Sequence, residues 1–227
     1  MLLFAWLGHA ALVGTTSSFD ARILLMLRQP GNLAALRGPS WLFAAMRDVT
    51  ALGDTPVLTL VTGIAAGAAL VRRRIGMAVF IALTIAVGAV LDTQLKLVFA
   101  RPRPSVVPHL VDVTSASFPS GHAMNSAIVC LTLAALLARR TTDRGLRAYL
   151  ACIGVGLALV VGASRVVLGV HYPTDVIGGW VAGAAWAASC WLVASKWHLL
   201  ANPSGSGAPG SGEALPLAAH PAKAREP

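Results

Sequence analysis

IGMAVFIALTIAVGAVLDTQL, running from Ile75 to Leu95, is an apolar stretch in which Asp92 is the one charged residue, and it follows directly on Arg72-Arg73-Arg74. A helix needs about 20 apolar residues to cross the hydrocarbon core of a bilayer, so this segment has the length and composition of a membrane span with a basic stop on one side. Working outward, comparable runs occupy Thr55 to Val71, His122 to Ala138, Leu150 to Gly162 with its flanks, and Val176 to Ser195. Each is bounded by charge, Pro or Gly. Met1 to Gly14 is apolar but short, lacks the basic start of a signal peptide and has no evident cleavage site, and it is read as a first span. The expectation is an all-α polytopic membrane protein with six transmembrane helices.

Composition agrees. Of 227 residues, 56% are hydrophobic and 12% charged, a balance too apolar for an ordinary soluble domain of this size. The net charge of +9 would suit nucleic acid if the basic residues shared a soluble face, but apolar runs separate them, so no nucleic-acid partner is expected. Cys130, Cys152 and Cys190 lie in separate apolar runs without the spacing of a zinc site or a disulfide framework, and are read as small buried hydrophobes. Between the first two spans, Asp20 to Arg28 and Ser40 to Arg47 mix large apolar side chains with Arg, as helices lying on a membrane surface do. They are expected to roof a site or to pack against it. The stretch 1–200 is read as one membrane domain, and the Gly, Pro, Ala and Ser-rich tail 201–227 as a disordered cytoplasmic segment.

Orientation follows from the connectors. Arg72, Arg73 and Arg74 fall on the same side as Arg139, Arg140, Arg144 and Arg147, which the positive-inside rule makes cytoplasmic. Lys196 follows the last span, with Trp191 and Trp197 at the level of an interfacial aromatic belt, so both termini are expected inside. Lys96, Arg101, Arg103 and Arg165 then fall on the outer, periplasmic or exterior, side. Each alone could snorkel to lipid phosphates. Four cations near two loops of one face repel each other unless something anionic compensates, and a phosphate site is the simplest explanation.

Three clusters on that face carry chemistry. The first runs from Lys96 off the end of the third span to Arg101-Pro102-Arg103-Pro104, where Arg supplies a planar fork for phosphate oxygens and Lys a compact point charge. Asp92, one helical turn before Lys96, either orients it or is an interfacial carboxylate without such a role. The second is Phe118-Pro119-Ser120-Gly121-His122, in which Ser120 suits an N-cap and the free N–H groups of the helix start form an anion cradle that Gly121 leaves open. The third is Ser164-Arg165, then His171-Tyr172-Pro173-Thr174-Asp175, with Pro173 suited to a first helical position. A carboxylate four residues after a His can hold one ring nitrogen and leave the other nitrogen's lone pair exposed, which makes a nucleophile. The second and third clusters each bring one His to the face, and phosphoryl transfer through a covalent intermediate needs both a nucleophile and a proton donor. His9, His109, His198 and His220 lack such neighbours and are assigned no chemistry.

Together, Lys96-x6-Arg103-Pro104, Pro119-Ser120-Gly121-His122 and Ser164-Arg165-x5-His171-x3-Asp175 resemble the three signatures of the type-2 phosphatidic acid phosphatase and vanadium haloperoxidase superfamily, in order and with all motif positions matched. The motif core spans Lys96 to Asp175. The resemblance implies a membrane lipid phosphatase in which His171 forms a phosphohistidine, Asp175 orients it, and His122 protonates the leaving oxygen and then activates water. Lys96, Arg103, Ser120, Gly121 and Arg165 would hold the phosphoryl oxygens, with no metal and no cofactor. It further implies a lipid phosphate or diphosphate as substrate, of the undecaprenyl diphosphate, phosphatidylglycerophosphate or phosphatidate type. A phosphotransferase, a vanadate-binding haloperoxidase and a non-catalytic lipid-phosphate binder are the rival readings. Arg101 lies outside the signature, leaving a second phosphate, a lipid headgroup or no ligand open for it. The short first span departs from the family pattern, as a misassigned start codon would make it.

Overall fold

The structure is a computed structural model that describes residues 2–196. The chain forms α1 (Leu2–Val13), α2 (Ser17–Met26), a hairpin of β1 (Arg28–Gln29) and β2 (Asn32–Leu36), then α3 (Trp41–Ala51), α4 (Thr55–Val71), α5 (Ile75–Phe99), α6 (Gly121–Ala138), α7 (Arg144–Val167) and α8 (Pro173–Lys196). Four of these, α5 to α8, are long and apolar enough to cross a membrane. Two bent pairs, α1 with α2 at 87° and α3 with α4 at 47°, bring the number to six if each pair counts as one span. Large apolar side chains such as Leu60, Ile64, Leu83, Val90 and Leu192 lie on the outside of the bundle, where a protein in water would bury them.

The third, fourth and sixth expected spans coincide with α5, α6 and α8 to within a turn. The fifth is longer than its apolar core. Asp143 caps α7 by accepting from the Gly145 and Leu146 N–H groups, so Arg144 and Arg147 belong to the first turns of the helix rather than to a connector. At the other end Arg165 also lies within α7, in its last turn.

Three further expectations are corrected. The fold is not wholly α-helical, because Pro30 and Gly31 turn the chain into the antiparallel β1–β2 ribbon; Gly31 at φ 82° supplies the left-handed conformation that a Pro-Gly turn requires. The second surface helix does not lie apart from the next span, since α3 extends to Ala51 and bends into α4 through Leu52-Gly53-Asp54. Of the cysteines, Cys152 is exposed and the other two only partly buried, because α7 turns its Cys152 face away from the bundle. The tail 201–227, Trp197, His198 and His220 lie outside the described residues.

The centre of the bundle is α6, which packs against both α7 and α8. Small residues permit this: a Cβ on Gly183 of α8 would come within 2.5 Å of the Met124 carbonyl oxygen of α6, so the two backbones touch where any side chain would separate them. At the site end, Phe118 is fully buried against Phe4 of α1 and Phe99 of α5, with ring centroids 5.6 and 4.8 Å away. The opposite end carries Arg72–Arg74, Arg139 and Arg140. Arg139 stacks over the Trp191 ring and Arg140 reaches Met77, which fixes the starts of α5 and α7 and the ends of α6 and α8 on one side.

Candidate active site

At the other end the helix termini surround a cavity of about 540 Å³. Its walls include Lys96 from α5, Arg103 from the following loop, Gly121 and His122 from the start of α6, Arg165 from α7 and His171 from the α7–α8 turn. The three clusters, separated by up to 75 residues of sequence, therefore converge on one chamber.

His171 is buried, and its Nε2 lies 3.2 Å from Nη1 of Arg103, which also donates to the Val170 carbonyl at 2.7 Å. A guanidinium has no lone pair, so it donates to Nε2, which makes Nδ1 the protonated nitrogen of a neutral ring. Burial, which penalises the imidazolium, holds the His171 pKa down at about 4; Asp175 opposes that shift, while Arg103 and Arg165 add to it. The ring is neutral at neutral pH.

Asp175 sits behind this ring, fully buried, but not as the His-x3-Asp spacing suggests. Its Oδ2 is 3.6 Å from Nδ1 of His171, too long for a hydrogen bond. That oxygen instead accepts from the Ser117 hydroxyl and, at 2.9 Å, from the Tyr172 N–H, while Ser117 Oγ itself lies 3.4 Å from Nδ1. Oδ1 accepts from Arg101. Arg101 thus has a use that the signature did not reveal: it is buried, binds Asp175 with Nη1 and Asp20 with Nη2 at 2.9 Å, and lies over the Tyr172 ring at 4.2 Å. These carboxylates raise its pKa against the lowering effect of burial. No ligand is needed to explain this cation.

Asp20 completes the arrangement from α2. Its carboxylate accepts from Arg101, from the Thr174 hydroxyl at 2.7 Å and from the Thr174 N–H at 3.1 Å, so it caps the first turn of α8. Arg28 of β1 clamps the other side of the turn, donating at 2.8 Å to the Val167 carbonyl at the end of α7. The segments read as surface helices therefore supply buried polar groups. A lone acid in Phe19-Asp20-Ala21-Arg22-Ile23-Leu24-Leu25 is the one sequence sign of this.

On the opposite wall, Lys96 Nζ and Asp92 Oδ2 are 2.8 Å apart, both shielded from solvent, so Asp92 does hold the ammonium. The reason for Gly121 is different from the one expected: a Cβ there would come within 2.7 Å of Asp92 Oδ2 and also collide with Lys96, so the missing side chain makes room for this pair. Ser120 is at the N-cap position of α6, but its hydroxyl makes no capping bond, is buried without a partner and does not line the cavity. Its N–H donates to the Asp175 carbonyl at 3.0 Å, which ties the start of α6 to α8. The cradle therefore begins at Gly121, one residue later than the sequence suggests. Arg165 donates to the Thr50 hydroxyl at 2.9 Å and keeps its buried Nε unpartnered at the cavity. His122 places Nε2 2.7 Å from Oδ1 of Asp54, a contact across 68 residues that no local motif announces.

Comparisons with known proteins point the same way. The chain is 31% identical over 183 residues to phosphatidylglycerophosphatase B of Bacillus subtilis, covering 80% of this chain and 85% of that protein. It is 38% identical over 117 residues to an undecaprenyl-diphosphatase of Sulfolobus acidocaldarius, covering 49% of this chain and 52% of that one. The crystal structure of the transmembrane PAP2-type phosphatidylglycerolphosphate phosphatase from Bacillus subtilis superposes with a TM-score of 0.75 at 31% identity, over 86% of this chain and 94% of that one. The family model of the PAP2 superfamily matches residues 76–199, the part of the sequence that brings in Lys96, Arg103, His122, Arg165, His171 and Asp175. With the three signatures meeting in one chamber and more than half of the chain matched, this protein belongs to the PAP2 superfamily.

Proposed function

We propose that this chain is a membrane lipid phosphatase that hydrolyses a lipid phosphate or diphosphate through a phosphohistidine on His171. The observation that carries this is the His171 ring itself: buried, neutral, and turned with Nε2 toward a cavity walled by Lys96, Arg103 and Arg165. The activities named for the Bacillus and Sulfolobus relatives support the same class of reaction.

In this reading a phosphoryl group enters the cavity and draws the Arg103 guanidinium onto its oxygens, which frees the Nε2 lone pair. Nε2 attacks phosphorus, the P–O bond breaks, and the leaving oxygen takes a proton from His122. Water then gives a proton to His122 and attacks the phosphohistidine, and the N–P electron pair returns to Nε2. Lys96, Arg103 and Arg165 neutralise the charge on the equatorial oxygens, with the N–H groups at the start of α6 beside them. Asp175 stabilises the developing positive charge on the ring through space rather than by a direct hydrogen bond. The cations perform the neutralisation that a metal would otherwise supply, so the reaction is metal-independent.

For the membrane, we infer six crossings, with the α3–α4 and α1–α2 pairs each counted once. The end carrying Arg72–Arg74, Arg139 and Arg140 faces the cytoplasm and the cavity faces the periplasm or exterior, with residues 1–200 acting as one domain. Phosphate release by purified protein across a panel of phosphatidate, phosphatidylglycerophosphate and undecaprenyl diphosphate tests the reading. Release on at least one lipid that persists in EDTA and is abolished in His171→Ala is expected; metal dependence or full activity without His171 overturns it.

A further inference from the structure

The His122 side of the cavity has a partner of its own. Asp54 stands at the N-cap of α4, φ −71° and ψ 146°, where an aspartate ordinarily accepts hydrogen bonds from its own helix. Here it makes no capping bond, and its Oδ1 instead meets His122 Nε2 at 2.7 Å. The surrounding charges explain the need. Arg165 from α7 and Lys96 from α5 face the same imidazole, Asp92 is occupied by Lys96, and Arg103 completes a chamber rich in cations. An imidazolium among like charges is unfavourable unless a carboxylate compensates it. The elbow also admits the ring, since a Cβ on the preceding Gly53 would stand 3.0 Å from His122 Cδ2 and collide with Val161.

We propose that Asp54 is the positioning residue of the proton donor: it holds Nε2–H of His122, so the nitrogen that delivers the proton to the leaving oxygen is Nδ1. The inference rests on the phosphatase reading above and assigns Asp54 no contact with substrate. In the first step the electron pair of the breaking P–O bond goes to the leaving oxygen, which takes the Nδ1 proton; His122 becomes neutral and Asp54 stays ionised. In the second step Nδ1 takes a proton from water as the O–P bond forms and the N–P bond to His171 breaks. The last turn of α3 and the elbow that follows it thereby carry two supports at once, Thr50 for Arg165 and Asp54 for His122.

The test compares kcat/KM, which reports only the steps up to departure of the leaving group, on phosphatidate and on 4-nitrophenyl phosphate with the full chain in detergent. An alkoxide needs a proton as it leaves and a nitrophenolate does not. Asp54→Asn is therefore expected to lose about 30-fold more on phosphatidate than on 4-nitrophenyl phosphate, within the range general acid catalysis supplies. Asp54→Glu should recover part of the difference. In an Asp54→Asn/His122→Ala double variant the phosphatidate rate should fall no further than in His122→Ala alone. Equal losses on the two substrates, or losses that multiply in the double variant, would mean that Asp54 merely holds the elbow, and the inference would be wrong. A His171→Ala control separates the two claims: an inactive His171→Ala beside an unaffected Asp54→Asn overturns only the role of Asp54, whereas an active His171→Ala overturns the phosphohistidine reading on which it rests.

Discussion

The cavity is bordered by two histidine–carboxylate pairs that are built in opposite ways. His171 and Asp175 are neighbours in sequence and almost wholly buried, with side chains 2% and 0% exposed, yet 3.6 Å apart. His122 and Asp54 are far apart in sequence and partly open, with side chains 22% and 49% exposed, yet joined at 2.7 Å. Burial disfavours a charged imidazole and an ionised partner in direct contact favours one. A nucleophile must be neutral to offer a lone pair, and a proton donor must be charged to give a proton away. The loose, dry pair suits the first task, while in the tight pair the contact with Asp54 offsets part of what burial, Arg165 and Lys96 do against an imidazolium.

The surest way to break the contrast is to remove what keeps the dry pair in place. Arg101→Met leaves Asp20 and Asp175 buried without their shared cation, a kind of change that costs about 3–5 kcal/mol. A large fall in thermal stability in detergent is expected together with loss of phosphatase activity, whereas Asp54→Asn, at a half-exposed site, should melt within about 1 kcal/mol of the parent. Equal destabilisation by the two would show that the pairs are not built differently.

The second way uses pH. With the His171 pKa at about 4, lowering the pH protonates the ring only as that value is approached, so the lone pair survives through the range in which an ordinary histidine is lost. After allowance for the substrate's own second ionisation, kcat/KM on an aryl phosphate should hold between about pH 7 and 5 and then drop tenfold per unit below the His171 pKa. An acid limb centred near the ordinary histidine value would place the nucleophile in a wetter setting than the structure gives it.

The smallest expected effect sharpens the comparison. Ser117 competes for the Asp175 oxygen that His171 would otherwise use, and lies between the two. Ser117→Ala removes the competitor at a cost of about 1 kcal/mol of hydrogen bonding. The rate should change by less than about tenfold, because the through-space attraction of Asp175 persists without it. A loss as deep as that of His171→Ala would make the hydroxyl itself a relay.

How much of this the sequence carries depends on how local each signal is. The long apolar helices were legible because length and apolar composition are properties of one segment, and His171, the cations and the start of α6 were legible as cavity residues because each motif is a few residues long. Asp54, Thr50 and Asp20 were not, since each meets its partner only after α3 bends into α4 or α2 folds back over α8, and nothing within either short stretch encodes the register of that docking. Ser117 shows a subtler limit. Its hydroxyl lies three residues before Ser120, just outside the motif, and packing turned the motif serine away from the cavity while turning Ser117 toward Asp175. The His171–Asp175 spacing was right for an adjacent pair and silent about which of its partners the carboxylate would choose.

One feature of the bundle bears on what happens after catalysis. The groups facing the cavity lie at the end of the bundle opposite Arg72–Arg74, Arg139 and Arg140, on helix termini and on the loop between α5 and α6. Under the proposed reaction the polar product can leave only into the water on that side, while the dephosphorylated lipid keeps its tails in the adjoining leaflet. The hydrolysis is then vectorial: it changes the composition of one leaflet and the solute content of one compartment, and any further use of the lipid on the other side requires a separate crossing of the bilayer.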